Sequence, residues 1–149
     1  MRGEVDRLLL LCPPQHGKSE ITSRRFPAYA LGLDPGQDWI AASATDSLAE
    51  GFGRDVRNCI ASQEYQRLFP ETVLSEDSAA KGRWHTKQDG GYFAVGIGGQ
   101  LYGKGGGAII DDPFGSWADA QSELSRERVW DWYRGTLYNR IRPGRPIIL

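Results

Sequence analysis

This sequence is short of the residues that most often announce a metal centre, a disulfide scaffold or a membrane segment. Cys12 and Cys59 are its two cysteines and His16 and His85 its two histidines, in 149 residues. That is too little thiol for a structural zinc site, and nothing suggests a secreted disulfide framework. His85 stands beside Trp84 with no second histidine or cysteine near it, so it reads as a strand residue. Long apolar runs are missing too. Leu8 to Leu11 is far too short to span a bilayer. Acidic and basic residues precede that run and prolines follow it, which does not suit a signal peptide. No charge sign dominates: 18 Lys and Arg stand against 19 Asp and Glu, so no overall field points to nucleic acid or membrane. No repeat of solenoid or propeller period occurs. What remains is a soluble, intracellular chain of one domain, long enough to build a real core.

The most informative stretch runs from Leu8 to Glu20. Four leucines read as a buried strand, a tight loop closes on Gly17-Lys18-Ser19, and a helix-compatible run follows. That is the layout of a phosphate-binding P-loop. Backbone N–H groups and a helix N-terminus face the phosphates, a lysine reaches the terminal ones, and a serine hydroxyl takes Mg²⁺. The residues expected at the nucleotide are Pro14, Gln15, His16, Gly17, Lys18, Ser19 and Glu20. Cys12 stands where the usual motif has its first glycine. The alternative is a structural turn carrying an exposed lysine. His16 is expected to shape the loop more than to touch phosphate.

A P-loop needs a carboxylate partner, usually at the C-terminal end of a nearby strand. Ile109-Ile110-Asp111-Asp112 supplies one. Asp111 is expected to hold Mg²⁺ together with Ser19, and Asp112 to orient the attacking water. A solvated turn is the alternative for these acids. Arg24, Arg25, Arg54 and Arg57 are candidates for stabilising phosphate charge. Arg126, Arg128, Arg134, Arg140, Arg142 and Arg145 give the C-terminal stretch a local basic excess, read first as a solvated helix face.

Along the chain, strands are expected at Val5 to Cys12, Trp39 to Ala44, Ala108 to Ile110 and Pro146 to Leu149. Trp84 to Thr86 and Gly91 to Val95 read as a hairpin closed at Asp89-Gly90-Gly91. A helix is expected from Ser19 to about Leu31, with Pro27 ending or kinking it. Leu33 to Gly36 has the form of a type II turn. A second helix, Ser47 to Ile60, is capped by Ser43 or Thr45 and buries Leu48, Phe52, Val56 and Cys59. Glu64 to Leu74 is mixed, broken by Pro70. The longest helix is expected from Ser122 to Ile141, with Trp130, Tyr133, Leu137 and Ile141 on its buried face. Seven glycines between Gly96 and Gly107 mark either a flexible loop or a backbone that comes close to a ligand. Strands alternating with helices argue for an α/β domain with a mainly parallel sheet.

These residues resemble the large terminase subunit of tailed bacteriophages and prophages. The resemblance rests on Pro13 to Glu20, on Ala42-Ser43-Ala44 with Leu48 to Arg57, and on Leu68 to Thr72. It also rests on Gly98 to Gly105, Ile109 to Pro113 and Arg128 to Tyr133. It implies a P-loop NTPase of the RecA-like (ASCE) type, in which an extra strand separates the two motif-bearing strands, with a β-hairpin inserted before the second of them. It implies ATP and Mg²⁺, with Lys18 and Ser19 as phosphate and Mg²⁺ residues, Asp111 as the Mg²⁺ acid and Asp112 as the catalytic carboxylate. It implies double-stranded DNA, a small terminase subunit and a portal protein as partners, a homo-oligomeric ring when full length, and the bacterial host cytoplasm as location. Gln15 replaces an arginine of the family loop, and Gly103-Lys104-Gly105 replaces Gly-Arg-Gly. Against the family, residues 1–149 read as an ATPase core incomplete at both ends, without the nuclease domain. A helicase-like P-loop ATPase and a non-catalytic remnant that at most binds nucleotide are the alternatives.

Overall fold

A computed structural model describes residues 5–76, 80–103 and 105–149. Lys104 of the glycine-rich segment lies outside the described residues. The chain forms an α/β unit around one six-stranded sheet. In chain order the strands are β1 (Arg7–Leu8), β2 (Asp38–Ser43), β3 (Arg83–His85), β4 (Gly91–Gly96), β5 (Gly107–Asp111) and β6 (Ile147–Ile148). Their spatial order is β1-β6-β5-β2-β4-β3, all neighbours parallel except the β3–β4 hairpin. β6 therefore lies between the strand leading into Gly17-Lys18-Ser19 and the strand ending on Asp111, as the resemblance implied. The second hairpin strand, β4, joins the parallel sheet beside β2, in register from Asp38↔Gly91 to Ser43↔Gly96.

Period-two alternation places the helices. Trp39, Ala41, Ile109 and Ile148 face one layer, with Ala28, Leu31, Val56 and Ile60. Ile40, Ala42, Ala108, Ile110 and Ile147 face the other, with Leu101, Trp132 and Leu137. Central strands covered on both faces carry near-continuous apolar residues, which is what β2 and β5 show.

The first layer is built from α1 (Phe26–Leu33), α2 (Asp46–Ala61) and α3 (Gln63–Leu68). Pro27 neither ends nor breaks the first helix. A π-helical turn, Glu20–Arg25, runs directly into α1, and Pro27 lies at this π-to-α junction, where the backbone bonding pattern already changes and a missing N–H is accommodated. The turn after α1 closes with Gln37 N–H donating to Asp34 O at 3.1 Å. Gly36 lacks the left-handed backbone of a type II turn. α2 is capped by Thr45, whose hydroxyl accepts from the Leu48 N–H, and not by Ser43, which is buried at the end of β2. Its core face is Ala49, Phe52, Gly53, Val56 and Ile60; Leu48 is exposed and Cys59 only half-buried.

The second layer departs further from expectation. The helical stretch expected from Ser122 to Ile141 is present over residues 123–140 but is not one α-helix: α4 (Trp117–Gln121) precedes it, and α5 (Glu123–Trp132) passes into a π turn, Tyr133–Leu137, and a 3₁₀ turn, Tyr138–Arg140. The wide π turn rotates the buried face. Trp132 and Leu137 go inside and Trp130 is 56% exposed. Trp132 is held there by its indole N–H, which donates to Gly99 O at 2.8 Å. α2, with 16 residues, is the longest purely α-helical element among those described.

Two further expectations change. The leucine run is not a buried strand: β1 covers Arg7–Leu8 alone, at the sheet edge, and Leu8 to Leu11 are all exposed. The glycines leading into β5 approach protein. A Cβ on Gly107 would sit 2.7 Å from the Trp39 ring, at the end of β5 opposite Asp111. No helix among the described residues is long and apolar enough to cross a membrane.

Candidate functional site

Because β1, β6, β5 and β2 run parallel, their carboxyl ends share one sheet edge, where ligands bind in open α/β sheets. The loop after β1 and the acids after β5 meet there. Loop geometry comes from two left-handed residues, Gln15 at φ 63° and Gly17 at φ 80°. Ile21 N–H donates to Gly17 O at 3.0 Å, and the Thr22 hydroxyl donates to Lys18 O at 2.9 Å, so the helix starts directly on the loop. His16 turns back on the loop, its Nδ1 2.8 Å from Pro14 O. A carbonyl can only accept, so Nδ1 carries the proton in that contact.

Lys18 joins the two halves. Its ammonium lies 3.0 Å from Asp111 Oδ1 and also contacts Asp112 Oδ1. Asp111 is 4% exposed. Burial pushes its carboxyl upward, but hydrogen bonds from Ser19, Ser23 and Lys18, with the lysine charge, hold it below the usual carboxylate range. The Ser23 hydroxyl donates to Asp111 Oδ2 at 2.7 Å, and the Ser43 hydroxyl donates to Asp111 O at 2.7 Å. For Lys18, desolvation pulls downward and is outweighed by its contacts with Asp112 and Asp111, which raise it above the ordinary lysine value. Asp112 is exposed and left-handed, φ 47°, and its O accepts from Ala44 N–H at 3.1 Å, which ties the β5 exit to the β2 exit.

Beside this cluster lies a cavity of about 410 Å³ lined by Cys12, Pro13, Pro14, Gln15, Gly17, Lys18, Ser19, Glu20, Arg24 and Asp112. The residues expected at a nucleotide thus share one cavity, except His16, which faces Pro14, and Asp111, which lies beneath. Glu20 brings an acid into the wall, offset by Arg25 at 2.7 Å and Arg24 at 3.6 Å. Lys18 and Arg24, the glycine backbone and the helix start are groups that suit a phosphate, with Glu20 and Asp112 balancing the charge of the wall. A hydroxyl and a carboxylate already joined by a hydrogen bond, Ser19 and Asp111, are the donor set for a hard cation. Among the described residues no group of three or more His, Cys, Asp or Glu is placed to hold a metal ion. A cation here would draw the rest of its shell from the ligand and water.

Sequence reading missed Ser23 and Ser43. Ser23 was legible in principle: it follows Ser19 by four residues, one helical turn on the same face. Ser43 was not, because its role depends on the β2–β5 register, Ser43↔Asp111. Of the four arginines, Arg24 alone lines the cavity; Arg25, Arg54 and Arg57 do not. In comparisons with known proteins, no family model matches this chain and no curated protein matches it significantly.

Proposed function

We propose that the chain is the ATPase core of a DNA-packaging motor of the phage large-terminase type, binding Mg-ATP at the 410 Å³ cavity. The observation that carries the reading is the junction of Lys18 with Asp111 and Asp112 across the intervening β6. Two sequence motifs more than ninety residues apart are thereby brought to one sheet edge beside a loop shaped for phosphate.

In this reading Lys18 leaves its carboxylates for the terminal phosphates, a single-bond rotation of a flexible side chain. Ser19 and Asp111 hold Mg²⁺, which supplies charge neutralisation at the phosphate oxygens when bound. Ser23 keeps Asp111 ionised and aimed. Asp112, released from Lys18 and exposed at the cavity wall, accepts a hydrogen bond from the attacking water and orients it in line. Double-stranded DNA as the moved polymer, the small terminase subunit, the portal, the ring and the host cytoplasm rest on the resemblance of Pro13 to Glu20 and Arg128 to Tyr133.

Thermal unfolding with Mg-ATP tests binding. At a hundredfold excess over Kd the parent should gain roughly 5–10 °C, and Lys18→Ala should gain nothing. No gain in the parent, with both proteins folded, overturns the phosphate-site reading. Turnover should be raised more by duplex than by single-stranded DNA; the reverse favours a helicase. Asp112→Asn should abolish turnover and leave ATP affinity intact, and equal loss of both would remove Asp112 from its assigned role.

A further inference from the structure

We infer that Arg24 is the second phosphate-binding cation of the cavity, exchanging its carboxylate partner on α2 for the terminal phosphate of a nucleoside triphosphate. The inference rests on the proposed phosphate site and adds to it which of the four candidate arginines acts there.

The four candidate arginines separate by where they point. Arg25 is two-thirds exposed, with its Nε 2.7 Å from Glu20. Arg54 is half-exposed, with Nε 3.6 Å from Asp55. Arg57 donates to Ala80 O at 3.3 Å. Arg24 alone shares the cavity wall with Gly17, Lys18, Ser19 and Asp112. Its side chain is one-third exposed, so the group is mostly shielded from water without being sealed.

Its present contacts suit an exchange. Arg24 Nε donates to Asp55 Oδ2 at 2.8 Å, and its Nη1 lies 3.6 Å from Glu20 Oε2. Its guanidinium lies over the Phe52 ring, 4.8 Å from the centroid. The ring holds the plane of the fork while leaving its edge for an oxyanion. Guanidinium has five N–H donors, more than these two contacts use, and it matches phosphate as it matches carboxylate. Asp55 and Phe52 both belong to α2. Occupation of the cavity by a triphosphate would therefore weaken the Arg24–Asp55 link and signal to α2, whereas a diphosphate, lacking the terminal group, would leave the link in place.

The test is the affinity of the full chain for Mg-ATP and for Mg-ADP in parent, Arg24→Ala, Arg24→Lys, Asp55→Asn and Lys18→Ala. Arg24→Ala should weaken ATP by about tenfold and ADP by less than about twofold, with Arg24→Lys between, because a lysine keeps the charge and loses the fork. Asp55→Asn, which frees Arg24, should tighten ATP selectively. An unchanged ATP-to-ADP ratio in Arg24→Ala overturns the inference, even if its melting temperature falls, since a structural ion pair would lower both affinities together. Should Arg24→Ala fail to fold, Asp55→Asn decides: no selective gain for ATP overturns it. Failure of the site itself looks different, because then the parent and Lys18→Ala bind neither nucleotide and the inference falls with the site.

Discussion

The two segments that lead into the site, the leucines Leu8 to Leu11 and the strand Gly107 to Asp111 with its apolar Ala-Ile-Ile centre, are opposite in fate. The second is β5, flanked by β6 and β2 and covered on both faces, and every residue in it is buried. The first is barely a strand. Among the described strands it pairs with β6 alone, its last backbone bond is Leu10 N–H to Leu149 O at 2.7 Å, and it carries Leu11 at 87% exposure. Leu8 and Leu9 instead wall an open apolar groove of about 500 Å³ with Phe114, Val129 and Trp130. Hydrophobicity states that a segment is better buried; the neighbours it finds decide whether it is. The site inherits this asymmetry. Its carboxylate half stands on a rigid central strand, and its loop half depends on backbone geometry at a sheet edge.

Truncation should expose the asymmetry most strongly. Ile109→Ala, at 1% exposure, should cost about 2–5 kcal/mol, while Leu11→Ala should stay within about 0.5 kcal/mol. Urea unfolding measures both. Similar costs would mean that the leucine run is as well packed as β5, and the comparison would collapse.

Next in size is the loop. Gly17 has φ 80° and no neighbour within 4 Å of a built Cβ, so Gly17→Ala meets no clash and pays only backbone strain, about 1–2 kcal/mol. Gly17→Asn, which tolerates that conformation better, should recover part of it. Equal stability of all three would show that the loop's shape does not depend on this residue.

The smallest effect is a pH dependence confined to the junction. The Asp111 carboxyl is lowered in the folded chain, so its contribution is full above about pH 4, the unfolded value, and fades as pH falls through the native one. Lys18 is raised, so its contribution is full below about pH 10.4 and fades above it. The stability gap between parent and Asp111→Asn should therefore be level through neutral pH and narrow below about pH 4. The gap for Lys18→Met should narrow above about pH 10.4. A gap that narrows between pH 6 and 8 would contradict both assignments.

Much of this architecture was written locally. The short apolar runs in Trp39 to Ser43 and Gly107 to Asp111, the turn at Asp89-Gly90, and the cap at Thr45 depend on neighbours within a few residues, and composition and propensity report them. The pieces of the candidate site were legible for the same reason. Gly17-Lys18-Ser19 and Asp111-Asp112 each stand out by residue type and by place at the end of an apolar run. Illegible were properties fixed by partners far along the chain. The exposure of the leucines follows from the edge position of β1. The rotated face of α5 follows from a π turn and the Trp132 bond to Gly99. The glycines at the entry to β5 answer to β2 and its approach: Gly105 to Ile40, Gly106 to Gln37 and Gly107 to the Trp39 ring.

By itself, then, the amino-acid order determined an alternating α/β chain with a Gly-Lys-Ser loop after its first strand and an acidic strand end, because those are matters of periodicity and local chemistry. Only the tertiary structure decided that β6 stands between them, that Lys18 reaches both aspartates, that Ser23 and Ser43 secure Asp111, and that Arg24 is the arginine on the cavity wall. Strand order and register set those distances, and both arise from the simultaneous burial of two sheet faces, a condition no single stretch of sequence contains.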